Sequence, residues 1–161
     1  MEVLENLTYD ELNVGDSATY SRTLTEEELI LFAAVSGDVN PIHIDANYAS
    51  QSIFKERVAH GMWSGALISA ALATVMPGPG TIYLEQSLKF KAPVKLQDVL
   101  SVTLTVTEKL PRGRVVFECK VTNQAGEVVV EGSSKVIAPA VKQVLDRPSL
   151  PRIIIGSADD E

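Results

Sequence analysis

Apolar positions change their spacing along this chain, and each change marks a different element. Residues 17–24 (SATYSRTL) alternate only weakly and read as a strand behind the Val14-Gly15-Asp16 turn. Leu29, Phe32, Ala33 and Ser36 then fall on one face at helical spacing, flanked by Ile30 and Ala34. Thr25-Glu26-Glu27-Glu28 ahead of them has the form of a capping box, in which the Thr oxygen accepts an orphan amide and Glu28 reaches back. The acids of that first turn suit the helix dipole, and Gly37 is a stop signal. Pro41 disfavours helical geometry at Asn40, so residues 38–44 (DVNPIHI) cannot continue the helix. Asp45 caps a short second helix over about residues 46–52, and 53–60 reads as irregular.

Residues 61–75 (GMWSGALISAALATV) are apolar or small on every side. Such a helix is buried in a core or crosses a membrane. A span needs about 20 apolar residues, and Pro77-Gly78-Pro79-Gly80 ends this run too soon, so the reading is a buried core helix. From Thr81 the period is two. Ile82, Leu84, Leu88 and Phe90 form one alternating set; Leu100, Val102, Leu104 and Val106 a second; Val115, Phe117, Cys119 and Val121 a third. A fourth strand runs through Val128, Val130 and Val136, and Pro111-Arg112-Gly113 and Asn123 to Gly126 supply turns. These are half-buried antiparallel strands. Packed around one wholly apolar helix, they make an α+β architecture in which a curved sheet leaves that helix no solvent face. Alternation is lost at Pro139, so the chain divides into a domain over 1–138 and a proline-containing C-terminal tail or linker over 139–161.

Charge refines this picture. The 161 residues hold 14 Lys+Arg and 21 Asp+Glu, a net charge of −7. An acidic chain without a basic run is a poor nucleic-acid binder, because phosphate contacts supply most of that affinity. Residues 1–54 carry one base, Arg22, against ten acids, the basic surplus begins at Lys55, and Val58 to Leu84 carries no charge at all. Asp159, Asp160 and Glu161 make the end acidic. A single cysteine, Cys119, excludes an intramolecular disulfide and reads as inert core, as Met62 and Trp63 read as packing residues. The first residues lack a basic segment followed by an apolar one, so no secretory signal and a cytoplasmic location are expected.

The candidate chemistry lies around two histidines. His43 follows Asp38 by five residues in a segment punctuated by Gly37, Asn40 and Pro41. A carboxylate and an imidazole converging there are the parts of general acid–base catalysis; the alternative is an Asp that merely caps a turn beside an exposed His. His43-Ile44-Asp45 offers two metal ligands without a convincing third and fourth, so no metal is expected. His60-Gly61 opens the apolar helix, where unpaired amides and partial positive charge could stabilise a developing oxyanion. Gly61 could equally be only a tight entry into the helix. Ser69 either bonds its own helix backbone or orients a catalytic group. Gly65, Ser69 and Ala73, with Ala66 and Ala70, make a small-residue face that suits close packing or an acyl slot.

The run Phe32-Ala33-Ala34-Val35-Ser36-Gly37-Asp38-Val39-Asn40-Pro41-Ile42-His43 resembles the hydratase-2 motif of MaoC-like, (R)-specific enoyl-CoA hydratases. His60-Gly61-Met62, the segment Gly80 to Phe90 and Pro93-Val94 are similar to the same family, over about residues 10–138. The resemblance implies a hot-dog fold, a homodimer or higher homo-oligomer with sites near the interface, and reversible syn addition of water to a trans-2-enoyl-CoA. It implies Asp38 and His43 as the acid–base pair, the Gly61 amide as the group polarising the thioester carbonyl, Ser69 as orienting the carboxylate and Asn40 as bracing the loop. No metal or redox cofactor follows from it; coenzyme A enters only as part of the substrate, with Lys55, Arg57, Lys89, Lys91 and Lys95 as candidates to meet its phosphates. The tail resembles the linker that precedes a phosphate acyltransferase domain in a longer bacterial enzyme. A hot-dog acyl-CoA thioesterase and a non-catalytic acyl-CoA-binding module stay open as alternatives, and neither nucleic acid nor membrane is an expected partner.

Overall fold

The structure is a computed structural model that describes residues 2–156. The acidic end at Asp159 to Glu161 lies outside the described residues. Eleven elements follow in order: β1 (Val3–Glu5), β2 (Ser17–Thr23), α1 (Glu26–Ser36), α2 (Pro41–Ile44), α3 (Ala46–Gln51), α4 (Gly61–Thr74), β3 (Ile82–Phe90), β4 (Val99–Leu110), β5 (Arg114–Thr122), β6 (Val128–Ile137) and β7 (Val144–Asp146). Five strands make one antiparallel sheet in the order β2-β4-β5-β6-β3, and β1 pairs with β7 in a separate ribbon. The expected alternation holds in β4 and β5, where Leu100, Val102, Leu104, Val106, Val115, Phe117, Cys119 and Val121 are buried on one face. Across that face lies α4, contributing Trp63, Leu67, Ile68, Ala71 and Leu72 to the same core. Each buried Leu or Ile there is worth about 1.5–3 kcal/mol relative to exposure. This is the α+β, hot-dog arrangement that the resemblance implies.

The sheet covers α4 incompletely, which corrects the expectation of a helix without a solvent face. Gly61, Met62, Ala66 and Ala73 are exposed along one stripe. A five-stranded sheet from one chain reaches round only part of a cylinder; Gly61, Ala66 and Ala73 lose little by facing outward, whereas Met62 leaves a large apolar side chain 58% exposed. Strand β3 departs in the same sense. It is an edge strand with a bulge between Tyr83 and Glu85, which breaks the expected alternating set: Ile82 pairs with Ile137 on the face away from Leu88, Leu84 falls at the bulge, and Phe90 lies against the start of α4 while staying 54% exposed; only Leu88 of that set packs on the core.

Local expectations fare unevenly. Thr25 Oγ1 accepts from Glu28 N at 3.2 Å, as a cap should. Glu28 does not reach back; its carboxylate takes the Arg22 guanidinium instead, because a charged partner outcompetes an amide. Residues 41–44, read as unable to continue α1, form the separate turn α2. Residues 139–147 are extended but docked: Tyr9 N donates to Pro139 O, Lys142 bonds Asn6 O, and β7 pairs with β1. No helix among the described residues is long and apolar enough to cross a membrane.

Candidate active site

The site begins where α1 stops. Gly37 adopts φ 76°, a left-handed conformation that a residue with a side chain rarely takes, and its N–H bonds Ala33 O. The chain therefore turns sharply, and Asp38 leaves the helix axis. Ser36 Oγ accepts from Asp38 N at 3.2 Å while donating to Phe32 O at 2.6 Å. Asp38 Oδ1 accepts from Asn40 N, and Asn40 Oδ1 accepts from Ile42 N, both at 3.2 Å. These are successive Asx-type turns, and they place Pro41 at the first position of α2, where its missing N–H costs nothing. Asn40 thus caps α2, the geometric content of a bracing role.

One turn of α2 carries His43 inward, to 8% exposure. Its Nδ1 lies 2.7 Å from Val58 O. A carbonyl only accepts, so Nδ1 carries the proton, and in the neutral ring Nε2 presents a lone pair. That Nε2 lies 3.9 Å from Asp38 Oδ2, whose side chain is 52% exposed. The separation is too long for a direct hydrogen bond, but one water with legs of about 2.8 Å spans it at an angle of about 90°. Two acceptors facing one gap suit a molecule with two O–H bonds.

His60 completes the cluster. Its Nε2 donates to Asp38 O at 2.8 Å, and its ring stacks on His43 with centroids 3.8 Å apart and planes at 28°. Phe32 lies tilted against the same ring, with centroids 5.1 Å apart. The sequence reading assigns His60 no role beyond opening α4; its only signal there is being the second histidine, next to Gly61. Asp38, His43 and His60 each offer one ligand atom within 4.8 Å of the others. Yet each ring spends one nitrogen on a carbonyl, and stacked rings send their in-plane lone pairs side by side rather than onto one ion at the ~2.0–2.1 Å that zinc requires.

Gly61 is the first residue of α4, and no side chain caps that end. The first amide bonded within this turn is Trp63 N, to His60 O. A Cβ at Gly61 would sit 2.8 Å from Phe90 Cε1, so the absence of a side chain lets β3 close on the helix start. Beside it runs a groove of about 280 Å³ whose lining includes Phe54, His60, Gly61, Ser64, Phe90 and Lys91. Lys91 also pairs with Glu131 at 3.3 Å, while Lys89 is exposed on β3. Arg57 is committed to a two-pronged pair with Glu26, whose carboxyl it holds below the usual range, and Lys95 pairs with Glu56. Lys55, at φ 64°, is exposed. Ser69 lies two turns along α4, partly buried, and among the described residues no hydrogen bond joins it to Asp38.

Comparison with known proteins shows what the chain as a whole is similar to. Residues 14–129 match the MaoC like domain family. The chain is 45% identical over 132 residues to the (R)-specific enoyl-CoA hydratase of Rhodospirillum rubrum, covering 82% of this chain and 92% of that one. It is 37% identical over 139 residues to the 3-hydroxybutyryl-CoA dehydratase of Methylorubrum extorquens, covering 84% and 87%. Among solved structures, the unliganded R-hydratase PhaJ1 of Pseudomonas aeruginosa superposes with a TM-score of 0.93 at 55% identity, covering 96% of this chain and all of that one.

Proposed function

The chain belongs to the MaoC-like domain family, and from that premise we propose that it is an (R)-specific enoyl-CoA hydratase, a hydro-lyase that reversibly adds water to trans-2-enoyl-CoA and yields (R)-3-hydroxyacyl-CoA. The observation that carries the reading is the gap of 3.9 Å between Asp38 Oδ2 and His43 Nε2, with the far nitrogen of His43 tied to Val58 O. Water held there donates one O–H to each acceptor and keeps a lone pair free for C3. As the C3–O bond forms, one proton passes to the pair, and the C2=C3 electrons move toward the thioester carbonyl. The Gly61 amide stabilises the enolate oxygen, a contribution of about 3–4 kcal/mol for one well-placed donor. The electrons return to C2, which takes a proton from the pair on the same face. Hydroxide and proton have then been added, and the pair is restored.

The reaction needs no metal or redox cofactor, because the thioester itself is the electron sink. The acyl-CoA enters along the groove at Gly61, with Lys91 and Lys89 on its approach. The exposed β3 edge and the open stripe of α4 support a homodimer, in which a second copy is where Ser69 would find the carboxylate it is read to orient. A cytoplasmic location, and a phosphate acyltransferase domain beyond the tail in a longer chain, are the finer expectations. The test is loss of the enoyl-thioester absorbance on adding crotonyl-CoA, followed by chiral analysis. The (R)-3-hydroxy product is expected. Release of free CoA thiol without hydration would replace the proposal by a thioesterase, and tight binding without turnover by an acyl-binding module. A substrate series from four to ten acyl carbons then sets the chain-length preference.

A further inference from the structure

We propose that His60 is a positioning residue for the hydration, holding Asp38 in register with His43 through the hydrogen bond it donates to the Asp38 main-chain carbonyl. The inference rests on the reading of Asp38 and His43 as the acid–base pair. The starting observation is an anomaly. His60 is 3% exposed, yet its Nδ1 is buried with no hydrogen-bond partner among the described residues. A buried polar atom left unpaired costs free energy, and packing alone would be served better by an apolar ring. The rest of the side chain explains why an imidazole stands here. Nε2–H donates to Asp38 O at 2.8 Å, across 22 positions of chain, and so pins the backbone of the residue whose carboxylate faces the water. The ring stacks on His43 with centroids 3.8 Å apart, and Phe32 lies tilted against it at 5.1 Å.

His43 is held at Nδ1 by Val58 O and on one face by the His60 ring, while its Nε2 faces Asp38 Oδ2 across 3.9 Å. Asp38 is fixed likewise, by Ser36 Oγ on its N–H, by His60 on its C=O and by Asn40 N on Oδ1. His60 touches both partners, and the next residue is Gly61, the first of α4. One side chain thus ties the water-holding pair to the amide read as the oxyanion donor. Phenylalanine would keep the stack and lose the donor. Glutamine would keep an N–H close to the position of Nε2 and lose the ring.

The test compares His60→Gln and His60→Phe with the wild type in kcat, KM and thermal midpoint on crotonyl-CoA. With the donor as the positioning element, His60→Phe lowers kcat by about 10–100-fold with KM within about twofold, the scale expected when a catalytic group is misplaced by a fraction of an ångström. His60→Gln stays within about threefold of wild-type kcat. Equal losses in both variants, or a loss of kcat matched by a rise in KM and a fall in thermal midpoint, would overturn the proposal in favour of plain packing. Unchanged kcat in both would overturn it as well. An independent arm reads the imidazole nitrogens by NMR in the wild type without turnover: His60 is expected as the Nε2–H tautomer with a slowly exchanging proton. The Nδ1–H tautomer would refute the hydrogen bond whether or not the hydratase reading stands. Hydration unchanged by Asp38→Asn would sink the reading of Asp38 and His43 as the acid–base pair, while leaving the NMR result to decide the His60 hydrogen bond.

Discussion

Replacing Asp38 by asparagine separates the chemistry of its carboxylate from the architecture of its loop. The three hydrogen bonds that hold the residue do not need the charge. Asn40 N still finds an oxygen at Oδ1, Ser36 Oγ still accepts from the main-chain N–H, and His60 still donates to the main-chain carbonyl. The side chain is half exposed, so no buried charge is created or lost, and stability should change by no more than about 0.5 kcal/mol. What changes is the atom facing His43 Nε2 across 3.9 Å, from an oxygen that accepts to an NH₂ that donates. The water loses one of its two acceptors, and half of the acid–base pair can no longer take a proton. A positioned acid or base contributes about 10²–10⁴-fold, so kcat should fall by that factor, or about 2.7–5.4 kcal/mol at 1.36 kcal/mol per decade. KM should stay within about threefold, because the carboxylate acts on the water and not on the bound thioester. The assay is initial-rate hydration of crotonyl-CoA beside a thermal melt of the same preparation. A variant whose kcat lies within threefold of wild type would refute the assignment of Asp38; a parallel collapse of the melt would refute the claim that the loop stands without the charge.

Three further outcomes are expected. A Cβ at Gly132 would lie 1.9 Å from Ser87 O and 2.8 Å from Ser87 C, both backbone atoms, so Gly132→Ala has to push β3 away from β6. A loss of about 3 kcal/mol and a midpoint about 6–12 °C lower are expected by calorimetry, and an unchanged melt would contradict the strand spacing. The Arg57 hydrogen bonds hold Glu26 below the usual carboxylate range, so this pair stabilises the fold above that range and the contribution is lost as pH falls through the depressed value. With Glu26 half exposed, Glu26→Gln should cost only about 0.5–1 kcal/mol at neutral pH and nothing in strong acid; a pH-independent difference in denaturant titrations would show that the ion pair is not the cause. Burial pushes the Cys119 thiol up, and its Sγ sits 2.9 Å from Ser134 Oγ inside the sheet. Iodoacetamide should therefore leave the native protein unlabelled and react fully in denaturant, whereas equal rates in both would mean that this strand opens readily.

The sequence by itself determined what neighbouring residues decide among themselves. Thr25 caps α1 and Gly37 ends it because the bonds involved span three or four residues. Period-two spacing gave β4 and β5 their buried faces, since a strand places alternate side chains on opposite sides whatever lies across from it. Asp38, Asn40 and His43 form one short loop with its own Asx turns, so their nearness was legible from order alone. Tertiary structure decided the rest. No local rule pairs β1 with β7, whose partner positions Val3 and Asp146 stand at opposite ends of the chain. None tells that β3 is an edge whose bulge at Tyr83 and Glu85 turns Ile82 outward, or that a sheet from one chain leaves Met62 and Ala66 of α4 open, because edge, bulge and coverage depend on how the strands pair and how far the sheet curls. His60 shows the division most sharply. Its sequence context marks a helix start and nothing more, and only the packing of α4 against the α1–α2 loop lays its ring on His43 and its N–H on Asp38, turning a residue of the core into a neighbour of the chemistry.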